Sequence, residues 1–242
     1  MKKIIAIFSL TFKNTQVSFA DLFGSMVTYF FRIAAILFFF MFLYKTELGK
    51  SSTLTEVSYV SIAWPLVFAQ LISVARPRGL PRELQSDLRS GRIGVQMLLP
   101  IAYIPFKFFE NFSRLILVIL AFLPVGLLTG YFLIGQMPEF SWELLLAFPI
   151  LLLSSVLILL SYLFIATLGF FIEDVAALQW IFSKLEMVFG GNILPIAFMP
   201  LWLFTTAQFT PFLHYGYSLG QYLVRQDWVY GFSIIGAQII WI

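Results

Sequence analysis

Long apolar runs alternate with short polar connections along this chain. The apolar runs cover residues 22–44, 57–75, 112–134, 144–172, 175–194 and 228–242. A helix needs about 20 apolar residues to cross a bilayer, and the first five runs approach or exceed that length. The sixth run is shorter, so we expect it to be a span that is incomplete in this sequence. The pattern therefore predicts six membrane-spanning helices.

The amino-acid composition agrees with a membrane protein. Hydrophobic residues make up 60% of the 242 residues and charged residues 11%, and the mean hydropathy is +0.93. Soluble proteins have about 25% charged residues, so a soluble fold could not cover this much apolar surface. The runs lack the alternation of a β-barrel, and lipid leaves no backbone group unpaired, so the spans must be helices. We predict an all-α polytopic membrane protein whose residues 1–242 form a single transmembrane domain.

A short amphipathic stretch precedes the first run. Ile4, Ile5, Phe8 and Phe12 recur at near-helical spacing, with lysine, asparagine and glutamine residues between and after them. This spacing predicts a helix over residues 3–19 that lies in the membrane interface. A disordered basic tail is the alternative.

The region before the last run is apolar but contains several helix breakers. Residues 192–227 are rich in Phe, Trp and Tyr, and Pro195, Pro200 and Pro211 interrupt them. Proline removes a backbone donor and kinks or breaks a helix, so these prolines argue against one straight helix. We predict short re-entrant helices in the outer interface.

Basic residues are unevenly distributed over the two sides of the predicted topology. With the N-terminus inside, eleven fall on the cytoplasmic side and three on the outer side. The eleven are Lys2, Lys3, Lys13, Arg76, Arg78, Arg82, Arg89, Arg92, Lys107, Arg114 and Lys184, and the three are Lys45, Lys50 and Arg225. Because short cytoplasmic loops accumulate Lys and Arg, this count predicts a cytoplasmic N-terminus.

Few residues could carry enzyme chemistry. The chain has no cysteine, and its single histidine is His214, so a metal site of thiolates or several imidazoles is excluded. No G-x-x-x-x-G-K-[ST] motif occurs, so the chain lacks a phosphate loop of its own. Arg32 lies within the first run, where it either packs at a helix interface or contacts substrate, while Glu110 and Glu186 lie near predicted interfaces. We expect a non-enzymatic protein with no cofactor of its own and no nucleic-acid partner.

The only long polar interval covers residues 76–100, within a predicted cytoplasmic loop at residues 76–107. Pro81 suits a first helical turn, and Gly91 suits the left-handed position after a helix ends. Leu84 and Leu88 lie four apart, on one face of the helix. The interval therefore predicts a short amphipathic helix with mixed charge, which favours contact with a soluble protein. A solvated linker is the alternative.

Three stretches resemble the type-2 ABC exporter permeases. They are Arg89-Ser90-Gly91-Arg92 with Leu98-Leu99-Pro100-Ile101, then Phe171-Ile172-Glu173-Asp174, and finally Gly190-Gly191 with Pro195, Pro200-Leu201-Trp202 and Pro211-Phe212. Each motif is short, and the resemblance rests on their order along nearly the whole chain. It implies a permease subunit in the bacterial cytoplasmic (inner) membrane. Two permease chains, identical or related, would face each other above a pair of ABC ATPase subunits that hold ATP and Mg.

The resemblance also implies two functional regions. The loop between the second and third spans would form a coupling helix that docks on the ATPase, and the region before the last span would close the exit. We expect the ATPase contact to involve Arg82, Glu83, Leu84, Asp87, Leu88, Arg89 and Arg92, with Glu173 and Asp174 as a secondary contact or a helix-end turn. We expect the outer gate to involve Gly190, Gly191, Pro195, Phe198, Pro200, Trp202 and Pro211.

Two other functions stay open at this point. The first is a secondary carrier or lipid-handling protein that works without an ATPase, and the second is an anchoring subunit. An ion-coupled carrier usually places carboxylates in a broken helix near the middle of the membrane, and the apolar runs show none at their centres. This absence disfavours the carrier without excluding it.

Overall fold

The computed structural model describes residues 19–45, 58–96, 98, 101–138, 141–193, 195 and 198–242, with side chains from Phe23 onward in the first helix. Apart from Phe19, the predicted interfacial helix at residues 3–19 lies outside the described residues. In the described part, the backbone forms ten α-helices and two 3-10 turns, Trp142–Leu146 and Pro211–His214, and no strand. The helices are α1 Phe19–Lys45, α2 Tyr59–Ala75, α3 Leu80–Arg89, α4 Arg92–Gln96, α5 Tyr103–Ile134, α6 Ala147–Leu168, α7 Val175–Phe189, α8 Leu201–Gln208, α9 Tyr217–Arg225 and α10 Trp228–Trp241.

Four helical stretches in this part of the chain are long and apolar enough to cross a membrane. They are Phe23–Lys45, Tyr59–Arg89, Tyr103–Ile134 and Trp142–Leu168, and each overlaps one of the first four predicted spans. Helices α7 and α10 have 15 and 14 residues, fewer than the roughly 20 that a span needs. The all-α prediction is thus confirmed for the described residues, and the four stretches are compatible with a multi-pass membrane protein. The fifth and sixth spans and the re-entrant helices stay predictions.

The third span begins earlier than the sequence pattern indicates. Helix α5 begins at Tyr103 rather than at residue 112, so Lys107 belongs to a helix and not to a loop. The charged first turns of α5 are helical because Lys107 is buried and paired with acidic side chains of α3. The sequence pattern suggests that Lys107 marks the edge of a span, but its charge is balanced by carboxylates of the same protein.

Helix α2 lies at the centre of the described fold. Thirteen of its seventeen residues are buried, and it packs against α1, α5 and α9. A helix that is apolar on every face is expected to be enclosed by other helices. The indole of Trp64 is fully buried, and its Nε1 donates a hydrogen bond to the Gln136 carbonyl at 3.2 Å. The helix also continues through Pro65, where a backbone donor is absent.

Glycines allow α5 and α9 to approach α2 closely. A Cβ atom on Gly130 of α5 would lie 2.7 Å from the Trp64 ring. A Cβ atom on Gly220 of α9 would lie 2.3 Å from the Cα of Pro65. Lipid tails are as apolar as the helix side chains, so the hydrophobic effect does not drive helices together in a membrane. Close packing of this kind drives their association instead. These two glycines therefore set the distances of α5 and α9 from the central helix.

Contacts made by the described connections and helix ends lie at two ends of the molecule. At one end, called here the α3 end, α3 contacts α6 and α7, and Lys107 of α5 reaches Glu83. At the opposite end, the Tyr222 hydroxyl of α9 donates to the Glu143 carbonyl, and Ser141 Oγ donates to Gln226 Oε1 at 2.5 Å. This grouping matches the alternation expected from successive antiparallel spans.

We expect Gly220→Ala to destabilise the protein. The added methyl group would collide with the backbone of α2 and force α9 outward, at a cost on the order of 1–3 kcal/mol. The measurement is the midpoint of thermal unfolding in detergent, followed by tryptophan fluorescence. The matched control is Gly236→Ala in α10, where a Cβ atom would meet no neighbouring atom within 4 Å. Equal midpoints for the two variants would show that the α2–α9 contact does not limit stability.

Candidate functional site

Helix α3 forms as the polar interval predicts. Pro81 lies in its first turn, and Gly91 follows it with a left-handed φ of 72°. Leu80 and Leu84 are buried against the core, and Leu88 is half-buried beside them. The apolar face thus attaches α3 to α6 and α7, and it leaves Arg82, Ser86 and Arg89 on the exposed face.

The structure separates the predicted contact residues into three groups by exposure. Arg82, Arg89, Arg92, Glu173 and Asp174 are exposed, Glu83 and Leu88 are half-buried, and Leu84 and Asp87 are buried. The exposed charged residues of α3 and α4 are basic and those of the turn between α6 and α7 are acidic, whereas the acidic side chains of α3 itself turn inward. A partner that binds here would therefore meet positive charge from α3 and negative charge from the adjacent turn.

The acidic side chains of α3 attach it to α5. Lys107 Nζ lies 2.5 Å from Glu83 Oε1, 3.3 Å from Asp87 Oδ2 and 3.5 Å from Glu110 Oε2. The Tyr103 hydroxyl donates to Asp87 Oδ2 at 3.0 Å. A buried carboxylate requires such partners, since an unpaired charge in the interior is costly. Glu83 and Asp87 thus hold the helix in place from within.

The turn between α6 and α7 adjoins α3. Gln85 Nε2 donates to the Glu173 carbonyl at 2.7 Å, and the Arg89 guanidinium donates to the same oxygen. Asp174 caps α7, because its Oδ1 accepts a hydrogen bond from the Ala176 amide at 2.8 Å. The Phe171 side chain is 87% exposed beside these contacts. A cavity of about 420 Å³ lies between α3 and residues 169–173, beside these hydrogen bonds.

A buried ion pair joins α2 to α7. Arg76 Nη1 lies 2.7 Å from Glu186 Oε2, and the Tyr162 hydroxyl donates to the same oxygen at 3.2 Å. Arg76 Nε also donates to the Ser73 carbonyl at 2.7 Å. The sequence pattern placed Glu186 near an interface, and the structure shows that its side chain is enclosed by the protein at 1% exposure.

Further polar contacts extend from this pair toward α1. Asn192 Nδ2 donates to the Glu186 carbonyl at 3.3 Å, and Gln70 Nε2 donates to the Asn192 carbonyl. Arg32 Nη2 of α1 donates to the Gln70 carbonyl at 3.2 Å. We call Arg32, Gln70, Arg76, Glu186 and Asn192 the polar ladder. In the sequence, Gln70 and the charged members are noticeable as polar residues in apolar surroundings. Which of them pair is not visible there, because the partners lie far apart along the chain.

The predicted outer-gate residues differ in their exposure. Gly190 and Gly191 are buried, and a Cβ atom on Gly191 would lie 2.5 Å from the Tyr217 ring. Gly191 also has a left-handed φ of 65°. Phe198 is half-buried, with its ring centroid 5.3 Å from that of Phe40. Of the others, Pro195 is buried, Pro211 is half-buried, and Pro200 and Trp202 are exposed.

Comparison with known proteins leaves the site to be interpreted from its geometry. No model of a known protein family and no curated protein matches the chain. Within the described residues, no group of three or more His, Asp or Glu side chains could hold a metal ion. The described geometry therefore offers an exposed basic surface and a buried polar ladder as candidates for function.

We expect Glu186→Leu to destabilise the protein strongly. The substitution leaves the buried Arg76 guanidinium without its carboxylate, and removing one partner of a buried pair costs about 3–5 kcal/mol. The double variant Arg76→Met with Glu186→Leu should recover most of this loss, since both charges are then removed. Thermal unfolding in detergent measures the effect. Arg114→Gln is the control, because it breaks only the exposed pair with Glu110 at 3.6 Å. A single variant no less stable than this control would contradict the expectation.

Proposed function

We propose that this chain is the transmembrane permease subunit of an ATP-driven exporter that resembles the type-2 ABC class. It would move a hydrophobic or amphipathic substrate outward between two permease chains. A separate pair of ATPase subunits would bind ATP and Mg and contact the α3 end. The charge distribution supports an orientation with the N-terminus and the α3 end in the cytoplasm. The bacterial inner membrane is the proposed location.

The observation that carries this proposal is one continuous exposed surface at the α3 end. It consists of the basic face of α3 and the turn at residues 169–174, and we call it the docking surface. Arg82 and Arg89 provide positive charge, and Phe171 provides an exposed aromatic side chain. Buried aromatic and arginine side chains supply much of the energy in protein interfaces. The combination favours a soluble partner with an apolar groove for Phe171 and acidic groups opposite the arginines.

The docking surface is attached to the helices behind it by polar contacts. Gln85 and Arg89 hold the turn before α7, and Gln179 Nε2 of α7 donates to the Arg78 carbonyl at 2.7 Å. The Arg76–Glu186 pair then joins α7 to the end of α2. A displacement of α3 by a partner would therefore act on α7 and α2 together. This supports the role of a lever that is moved by ATP binding and hydrolysis.

In this proposal the exit lies at the end opposite α3. Phe198, Trp202 and Pro211 belong to the segment between the Gly190-Gly191 turn and α9. That segment reaches α1 through the Phe198–Phe40 contact. Gly190 and Gly191 would serve as the hinge from which it moves, because glycine tolerates backbone conformations that other residues resist.

We expect a photo-crosslinking amino acid at position 82 or 86 to capture the ATPase. Both positions lie on the exposed face of α3, where a docked partner would be within reach. Crosslinks are formed in cells that naturally produce the chain, and mass spectrometry identifies the products. The proposal requires a product whose sequence contains a phosphate loop.

The control position for this experiment is 128, an exposed leucine on the apolar side of α5. In addition, Arg82→Glu should reduce co-purification of the ATPase more than Lys184→Glu, which changes an exposed lysine of α7 in the same way. Equal capture at positions 82 and 128, or no phosphate-loop protein at all, would refute ATPase docking on α3.

A carrier without an ATPase is the second candidate, and one observation favours it. Glu186 is a buried carboxylate four residues before the turn at Gly190, which is the arrangement of many ion-coupled carriers. Its pairing with Arg76 favours a structural role instead. We expect vesicles that contain only this chain to show no proton flux above empty vesicles, measured with pyranine. A flux that Glu186→Gln abolishes would favour the carrier.

A further inference from the structure

A cavity of about 560 Å³ lies at the end of the molecule opposite α3. It is bounded by the beginning of α2, by α8, by α9 and by α10. Its volume is within the usual range for small-molecule sites, about 300–1,000 Å³. None of the expected coupling or gate residues lines it.

One side of the cavity is polar. The His214 imidazole and the Ser218 hydroxyl lie 3.4 Å apart, and the Tyr230 hydroxyl donates to Gln221 Oε1 at 2.6 Å. Burial lowers the pKa of His214, so its imidazole is neutral at pH 7 and can donate or accept a hydrogen bond. The other side is apolar and includes Ile62, Phe204 and Ile234. The cavity therefore suits a ligand with a polar head and a hydrocarbon portion.

Arg225 gives the polar side a positive charge. The guanidinium carbon lies 4.7 Å from the centre of the Tyr230 ring, which holds the side chain beside the cavity. The nearest acidic residue in sequence, Asp227, uses its Oδ1 to cap α10 by accepting from the Val229 amide at 3.0 Å. Among the residues that the structure describes, Arg225 has no ion pair, and no carboxylate lines the cavity. The unbalanced charge selects an anionic head over a cationic one.

The connection between α9 and α10 sets this arrangement. Gln226 adopts a left-handed φ of 50° after the last residue of α9, and α10 begins at Trp228. Ser141 Oγ donates to Gln226 Oε1, which ties the turn to the connection before α6. The turn thus places Arg225 and Tyr230 on facing helices. Their contact results from the backbone and does not require a ligand.

We propose that this cavity binds an anionic amphiphile, with a phosphate-type head on Arg225 and a hydrocarbon chain against Ile62, Phe204 and Ile234. The head would accept hydrogen bonds from the guanidinium, and Ser218 and Gln208 would complete its polar surroundings. This inference concerns binding by the chain itself. It holds whether or not the chain couples to an ATPase.

The test is photo-labelling in nanodiscs of phosphatidylcholine with decyl phosphate that carries a diazirine in its chain. Labelled residues are mapped by mass spectrometry, and we expect them on the cavity wall, with saturation as the probe concentration rises. Excess decyl phosphate should compete, whereas decyltrimethylammonium should not. Competition by inorganic phosphate alone would mean that a free anion, and not an amphiphile, is the ligand. Equal competition by neutral decyl glucoside would overturn the anionic head.

Two variants locate the site and one serves as a control. Arg225→Gln should weaken labelling about tenfold, since it removes a charge-assisted hydrogen bond. Ser233→Trp should block labelling by filling the cavity from α10, and both changes affect exposed side chains. The control is Lys184→Gln, which removes another exposed cation that lies over an aromatic ring, 5.5 Å from the centre of Trp180. Labelling that is spread evenly over lipid-facing residues, or that resists both cavity variants, would overturn the proposal.

Discussion

The close packing around α2 is the constraint on which the rest of the fold depends. This helix is apolar on nearly every face, so it must be enclosed, and Gly130 and Gly220 let α5 and α9 approach its backbone and its buried Trp64. Because lipid is as apolar as the side chains, shape complementarity replaces the hydrophobic effect as the main force between helices. The positions of α5 and α9 in turn determine where the opposite end can form its cavity, since α9 provides one wall of it.

The polar ladder is a second constraint, and it acts where apolar packing is weak. Helix α7 exposes Trp180, Ile181 and Leu185 and buries Gln179 and Glu186, so its apolar side faces outward. This arrangement is the reverse of a soluble amphipathic helix and is expected where the surroundings are lipid. Since hydrogen bonds and one ion pair hold α7, its position is linked to the end of α2 and to α3. A partner at the α3 end would act on these same contacts.

The two ends of the molecule have different chemistry. The α3 end combines arginines with the exposed Phe171, Glu173 and Asp174, and the acidic side chains of α3 itself are paired with Lys107. At the opposite end, the polar cavity has one arginine beside it and no carboxylate among its described lining residues. A protein contact at one end and a ligand contact at the other would fit a transporter, because both surfaces belong to helices that pack on α2.

The sequence by itself determined the helical class, the presence of four long apolar helical stretches, and the bounds of α3 from Pro81 and Gly91, because these depend on local periodicity and backbone preference. It misjudged the start of α5, since Lys107 looked like the edge of a span until its partners were known. Only the tertiary structure decided that Glu83 and Asp87 point inward, that Arg76 meets Glu186, and that Arg225 lies beside a cavity. Such pairings join distant parts of the chain, and no local pattern encodes which charges will meet once the helices pack.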